Sequence, residues 1–108
     1  MEHFTVQEML DMQTLLQEKY KDKWEKIGPE TGKSKLLWLV AELGEAIDIV
    51  KKQGPDRIMD TPSVRHDFVE EMADVLMYFH DILNCYSITE NELKQAYTEK
   101  FRRNMERW

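Results

Sequence analysis

Two pairs of acidic residues carry the chemistry that this sequence makes available. Glu42 and Glu45 form one pair, Glu71 and Asp74 form the other, and the members of each pair are three positions apart. On a helix, residues at this spacing lie on one side, with their Cβ atoms about 5–6 Å apart. If the two helices that carry the pairs pack antiparallel, the four carboxylates converge.

Four converging carboxylates repel one another, and they take up protons unless a cation lies between them. Oxygen ligands favour a hard divalent ion, and Mg²⁺ completes its coordination with waters and substrate phosphates. We therefore predict a Mg²⁺ site, with Mn²⁺ as the alternative ion. Because 33% of the residues are charged, the same spacings also occur on ordinary solvated helix faces, and that interpretation stays open here.

The elements that must position these acids are predicted to be four helices. Gly and Pro at 28–32 and 54–55, and the capping residues at 87–89, divide the chain. The helices are expected at about 6–27, 34–52, 62–85 and from 89 onward, with a mobile loop at 53–62. Thr5 with Glu8, and Thr89 with Glu92, form capping boxes. We expect an all-α, four-helix bundle-like fold in a single domain, residues 1–108.

The second and third predicted helices share one arrangement of apolar and acidic residues. At 100° per residue, each collects apolar residues in an arc of about 40° to 160° from its first acid. The second acid lies on the other flank, close to Trp38 or Tyr78. We expect the arcs to form the core and the acids to lie at its edge. The arcs consist of Leu36, Leu39, Val40, Leu43, Ala46, Ile47 and Val50, and of Phe68, Val69, Met72, Val75, Leu76, Phe79 and Leu83.

Composition excludes several classes of protein. A net charge of −6 in 108 residues disfavours binding to polymeric nucleic acid, which needs a basic surface. No apolar run approaches the roughly 20 residues of a membrane span. With no recognisable secretion signal and a single cysteine, Cys85, a reducing cytoplasmic location is expected. Cys85 itself is predicted to be a packed core thiol, and Trp108 a terminal surface or interface residue.

Histidine-based metal sites are poorly supported. The dipeptides at 66–67 and 80–81 are His-Asp pairs, as in histidine–aspartate metal phosphohydrolases, but three histidines leave such a site short of ligands. A di-iron bundle needs Glu-x-x-His on two helices, and no histidine here has a Glu three positions before it. The carboxylate pairs remain the stronger candidates.

The acidic motifs resemble those of a known enzyme family. The segments 37–45 (LWLVAELGE) and 70–78 (EEMADVLMY) are similar to the ExxE and ExxD motifs of the MazG-like all-α nucleoside triphosphate pyrophosphatases. The segment 100–107 (KFRRNMER) resembles the K-x3-N-x2-R ending of the branch that includes dCTP pyrophosphatase. Together the resemblance covers most of the chain from Trp24 onward. Ala41 departs from the pattern, since many members carry a further Glu there.

The resemblance implies Mg²⁺-dependent hydrolysis of a (deoxy)nucleoside triphosphate to the monophosphate and diphosphate. Carried over by position, all four acids would bind the metal, and one of them, such as Glu42, would orient or deprotonate the attacking water. Lys100, Asn104 and Arg107 would contact the triphosphate or the nucleotide. The bases among them would otherwise only complement the dipole of the last helical turn. The residues expected to border the base, with ordinary packing as the alternative, are Trp24, Trp38 and Tyr78.

Assembly is expected as well. Trp38 and Ile49 give the second helix a further apolar flank, which one small bundle does not readily cover. The resemblance implies a homodimer or homotetramer with sites at or near subunit contacts. A rival interpretation from another class is a non-catalytic helical oligomerisation or interaction module, whose acidic pairs are solvated or bind the bases of a neighbouring chain.

Overall fold

A computed structural model describes residues 3–107, and all regular structure within that range is helical. Trp108, expected at a surface or interface, lies outside the described residues. The all-α prediction is confirmed. No helix of the described chain combines the length and apolar character that crossing a membrane requires. The five helices are α1 Val6–Lys19, α2 Pro29–Gln53, α3 Pro55–Asp60, α4 Pro62–Cys85 and α5 Glu90–Arg107.

α1 ends earlier and α2 begins earlier than the sequence predicted. α1 ends at Lys19 rather than near residue 27, and the backbone N–H of Trp24 donates to the Tyr20 carbonyl in a turn (2.8 Å). α2 begins at Pro29 rather than Ser34, because proline is well suited to the first helical position. The segment between them therefore forms a short irregular connection that holds Trp24.

The segment 53–62 is not the irregular loop predicted. Gly54 ends α2 with a positive φ of 83°, which glycine adopts without strain, and Pro55 then opens α3. Ile58 of α3 is buried, so this short helix is anchored to the rest of the fold. α3 packs against α2 and α4.

α2 and α4 form the central antiparallel pair. Lys35 near the start of α2 pairs with Asp81 near the end of α4, whereas Glu45 of α2 approaches Glu71 of α4. α1 packs against α4. Cys85 is buried, which confirms the packed thiol. The buried apolar core is small and consists of Leu10, Ala46, Ile58, Val64, Ile82, Leu83 and Cys85.

Much of the apolar surface predicted as core is exposed in one chain. α2 meets α4 along a line through Lys35, Glu42 and Ala46, and this line lies beside the apolar arc rather than at its centre. Ala46 and Leu83 are buried as expected, but the prediction is wrong for the outer part of both arcs. On both helices the apolar arc begins at the same angle from the acid at the α2/α4 contact. Because the helices are antiparallel, both arcs face the same side of the pair, and their residues form one surface, named here the α2/α4 apolar face. Its members are 37% to 63% exposed: Leu36, Val40, Leu43, Ile47, Val50, Val69, Met72 and Leu76.

α5 extends away from the packed helices. None of its residues is buried, and a hydrogen bond from the Gln7 backbone N–H to Glu90 Oε2 (2.8 Å) ties its start to α1. The radius of gyration, 16.3 Å, exceeds the value of about 13 Å expected for a compact domain of this length. A single chain therefore packs three long helices with α3, and it does not close the four-helix bundle that was predicted.

Candidate metal centre and the adjoining cavity

Three of the four predicted acidic ligands converge where α2 crosses α4. Glu42, Glu45 and Glu71 each offer a carboxylate oxygen, and these oxygens lie within 4.8 Å of one another. Glu42 and Glu71 are half-buried, while Glu45 is exposed. The i, i+3 spacing on α2 and the antiparallel packing of α4 account for this convergence. The three residues are called the glutamate cluster below.

Asp74 lies at the edge of this cluster rather than within it. It is exposed on α4, one turn after Glu71. Its negative charge contributes to raising the pKa of both Glu42 and Glu71. Asp74 also lines the neighbouring cavity. The structure thus brings three predicted ligands together and places the fourth in the lining of the neighbouring cavity.

The glutamate cluster has the electrostatic character of a cation site. Burial, followed by interaction with Glu45, raises the pKa of Glu71 to about 7. Burial and the charges of Glu45 and Asp74 also raise the pKa of Glu42. Within the described chain, Glu42 Oε2 and Glu71 Oε2 are buried without a hydrogen-bond partner. Buried carboxylate oxygens that lack donors either keep a proton or bind a cation, and an all-oxygen donor set fits Mg²⁺ or Mn²⁺.

A cavity of about 500 Å³ opens beside the cluster, between α1, the connection at 20–28, α2 and α4. Trp38 meets Tyr78 edge to face, with ring centroids 6.2 Å apart. Trp24 packs on Tyr20 with ring centroids 4.7 Å apart. All three aromatic residues predicted to border a base, Trp24, Trp38 and Tyr78, line this one cavity. It is called the aromatic cavity below.

A buried polar group forms part of the cavity wall, and the sequence interpretation missed it. Asp81 accepts from Gln13 Nε2 (2.8 Å) at Oδ1 and from Lys35 Nζ (3.1 Å) at Oδ2. Nζ of Lys35 also lies 5.8 Å from the centre of the Tyr78 ring. The one signal in the sequence was that Asp81 falls one turn after Tyr78, on the flank that carries the acids. Its partners come from two other helices, and spacing along α4 does not identify them.

The histidine next to Asp81 plays a different part from that in a histidine–aspartate site. His80 is buried, and its Nδ1 lies 2.7 Å from the Leu76 carbonyl oxygen, within the same helix. His66 lies 3.1 Å from Glu70 on the exposed side of α4. The two His-Asp dipeptides therefore do not form a common centre in the described structure.

The predicted triphosphate-binding residues are not at the glutamate cluster of their own chain. Lys100, Asn104 and Arg107 are exposed on α5, which does not pack along α2 or α4. They are also absent from the described lining of the aromatic cavity. A single chain thus places the acids and the aromatic residues together, but not the basic end of α5.

Comparison with known proteins identified no relative of this chain. No protein-family model, curated protein or solved structure matches the chain. Support for a function therefore comes from the glutamate cluster, the aromatic cavity beside it and the resemblance of the two acidic motifs.

Proposed function

We propose that the protein is a Mg²⁺-dependent nucleotide pyrophosphohydrolase, which converts a (deoxy)nucleoside triphosphate and water into the monophosphate and diphosphate. Such an enzyme would control the nucleotide pool or remove unwanted nucleotides, and a cytoplasmic location suits that role. The observation that carries the proposal is the glutamate cluster, in which two buried carboxylate oxygens lack a hydrogen-bond partner, together with the neighbouring aromatic cavity that Asp74 lines. The MazG-like motifs contain these same residues.

The acids have distinct roles under this proposal. Glu42, Glu45 and Glu71 hold the metal, with Asp74 joining them from the edge. A bound Mg²⁺, or Mn²⁺, would offset the charge of the triphosphate and favour ionisation of the attacking water. Glu42 would also orient or deprotonate that water, as a carboxylate positioned next to the attacking group can.

The aromatic cavity is suited to the nucleoside. Its volume of about 500 Å³ falls in the ordinary range for small-molecule sites. Trp24, Trp38 and Tyr78 offer ring faces and edges, and stacking of a base on such a ring contributes about 1–3 kcal/mol. Because Asp74 lines the same cavity, a nucleotide bound there could place its phosphates next to a metal held by the acids.

A second copy of the chain would complete the site. The α2/α4 apolar face is a large apolar surface for a single 108-residue chain. α5 carries the exposed apolar residues Tyr97, Phe101 and Met105 beside Lys100 and Asn104. We propose a homodimer or homotetramer in which α5 of one copy packs on another and brings Lys100, Asn104 and Arg107 to the triphosphate.

The test is diphosphate release from a panel of ribo- and deoxyribonucleoside triphosphates with Mg²⁺, compared between wild type and Glu42→Gln. We expect Glu42→Gln to lower kcat by about 100-fold or more, because it removes the carboxylate proposed to act on the attacking water. Glu70→Gln is the matched control, since Glu70 is exposed on α4 beside His66, and we expect this variant to keep wild-type activity. No hydrolysis at micromolar enzyme, or full activity of Glu42→Gln, would show that the assignment is wrong.

A second candidate is the non-catalytic interaction module, which the exposed α2/α4 apolar face favours. Under that alternative the acidic pairs are solvated or bind the bases of a neighbouring chain, and the glutamate cluster binds no metal. Glu71→Gln would then raise the melting temperature equally with and without Mg²⁺. Under the enzyme proposal, Mg²⁺ stabilises the wild type more than it stabilises Glu71→Gln.

A further inference from the structure

A buried charged group in the wall of the aromatic cavity is left without a role by the proposed hydrolysis. Lys35, Asp81 and Gln13 are 7%, 4% and 5% exposed, and they join α2, α4 and α1. Buried ion pairs contribute little net stability compared with well-packed apolar residues, because both charges lose their hydration. The position of this group beside the cavity therefore points to a role in binding.

Lys35 has N–H donors that Asp81 does not use and whose hydrogen bonds a ligand could accept. Both carboxylate oxygens of Asp81 accept, one from Gln13 and one from Lys35. An ammonium group has three N–H donors, and only one of those on Lys35 is needed for Asp81. The other donors lie beside the cavity, where Nζ is 5.8 Å from the centre of the Tyr78 ring. Asp81 thus fixes a cationic donor in the wall of a site bordered by aromatic rings.

We infer that Lys35 Nζ donates a hydrogen bond to a ring carbonyl oxygen of the nucleobase, so that the cavity prefers uracil, thymine, cytosine or guanine to adenine. Each preferred base has at least one carbonyl oxygen, and adenine has none. On the major-groove edge of adenine, the ring acceptor lies next to an amino group, whose hydrogens carry positive charge toward an ammonium. Lys35 is then a specificity-determining residue, and Asp81 is the residue that positions it.

This inference rests on the proposed function for the choice of a nucleotide as ligand, but base binding needs neither Mg²⁺ nor hydrolysis. The probes are therefore UMP, CMP, GMP and AMP, titrated by calorimetry into wild-type protein without a divalent ion. We expect AMP to bind about tenfold more weakly than the other three, since hydrogen-bond discrimination between bases is worth about 1–3 kcal/mol.

The variant Lys35→Met/Asp81→Asn removes both charges together and keeps a carbonyl acceptor for Gln13. We expect the affinities for UMP, CMP and GMP to fall to that for AMP, while the affinity for AMP stays the same. Lys33→Met is the matched control, because Lys33 is exposed on the same helix and pairs with Glu30 at 3.1 Å. Lys35→Gln keeps an N–H donor, and we expect it to retain part of the preference.

The outcomes separate this inference from the proposed function. Equal wild-type affinity for all four monophosphates, or no binding of any, overturns the inference whatever the variants do. An equal loss for all four in the double variant also overturns it, because Lys35 would then contact phosphate or only support the fold. A preference for carbonyl-bearing bases in a protein that hydrolyses no triphosphate sustains the inference and refutes the proposed function.

Discussion

At the scale of single residues, Glu71 of the glutamate cluster has a strongly raised pKa. It is half-buried, one of its carboxylate oxygens has no partner in the described chain, and its pKa is raised to about 7. The cause is burial, followed by interaction with Glu45. Without a cation, ionising Glu71 therefore opposes folding.

The metal-free protein should lose stability as the pH rises from about 4.5 to about 7. The unfolded chain releases the Glu71 proton near its ordinary pKa of 4.5, whereas the folded chain holds it until about 7. Between these values the folded state binds more protons, so the free energy of unfolding falls with increasing pH. Urea unfolding at pH 5, 6, 7 and 8 in the presence of EDTA measures this slope. We expect Glu71→Gln to flatten it, and a wild-type stability that rises across this range would contradict the account.

The sequence predicted the acidic residues of the site better than the groups around them. The i, i+3 spacing and the helix phase of Glu42, Glu45 and Glu71 are local properties that can be read from the sequence, and antiparallel packing of α2 and α4 then brings the three acids together. Lys35 and Asp81 were missed because they are 46 positions apart. Their pairing depends on how far α2 slides along α4, which no local pattern determines.

At the scale of the elements, the bounds of α4, the end of α2 and the capping-box starts of α1 and α5 were predictable, whereas the end of α1, the start of α2 and the presence of α3 were not. The Thr5–Glu8 capping box forms as expected, and Glu92 N–H donates to Thr89 Oγ1 (3.1 Å) at the start of α5. These signals depend on side chains within one turn. The early end of α1 and the presence of α3 depend on packing between helices, so turn residues alone placed those boundaries wrongly.

Two glycines in α2 should respond oppositely to substitution by alanine. A Cβ on Gly32 would lie 2.6 Å from Cε2 of Tyr86, whose hydroxyl donates to the Pro29 carbonyl at 3.0 Å. Gly32→Ala must displace that ring, and we expect a loss of about 1–3 kcal/mol in the free energy of unfolding.

Gly44→Ala is the matched control because nothing lies within 4 Å of its added Cβ. We expect a gain of about 0.5–1 kcal/mol from helix propensity. Thermal and urea unfolding of both variants provide the measurement. Equal effects of the two substitutions would show that Tyr86 does not pack on α2 as described.

At the scale of the whole molecule, the sequence prediction was wrong mainly in burying the apolar side of α2 and α4 within a single chain. Periodicity identified the apolar side of α2 and α4 correctly, but it could not show whether the same chain or another copy covers that side. In one chain the α2/α4 apolar face stays exposed, and α5 extends away from it. In the proposed assembly, a second copy would give both surfaces a partner.

Replacement of Val40 by Glu should separate the copies. Val40 is 63% exposed at the α2/α4 apolar face, so a charge there is harmless in the isolated chain but unfavourable within an apolar interface. By sedimentation equilibrium, we expect the wild type to be a dimer or tetramer of the 13.0 kDa chain and Val40→Glu to be a folded monomer.

Leu37→Glu provides the comparison, because Leu37 is 72% exposed on another side of α2. We expect that variant to keep the wild-type mass. A wild type that sediments as a monomer at micromolar concentration would leave α5 without a route to the glutamate cluster, and it would refute the shared site.

The central claim is that the glutamate cluster directs cleavage of a triphosphate into a monophosphate and diphosphate. ³¹P NMR of the products from wild-type protein, Mg²⁺ and a nucleoside triphosphate tests it most directly. The account predicts equal amounts of nucleoside monophosphate and diphosphate ion, with neither formed in EDTA or by Glu42→Gln. Release of orthophosphate with a nucleoside diphosphate, or an unchanged triphosphate after prolonged incubation with wild type, would contradict it.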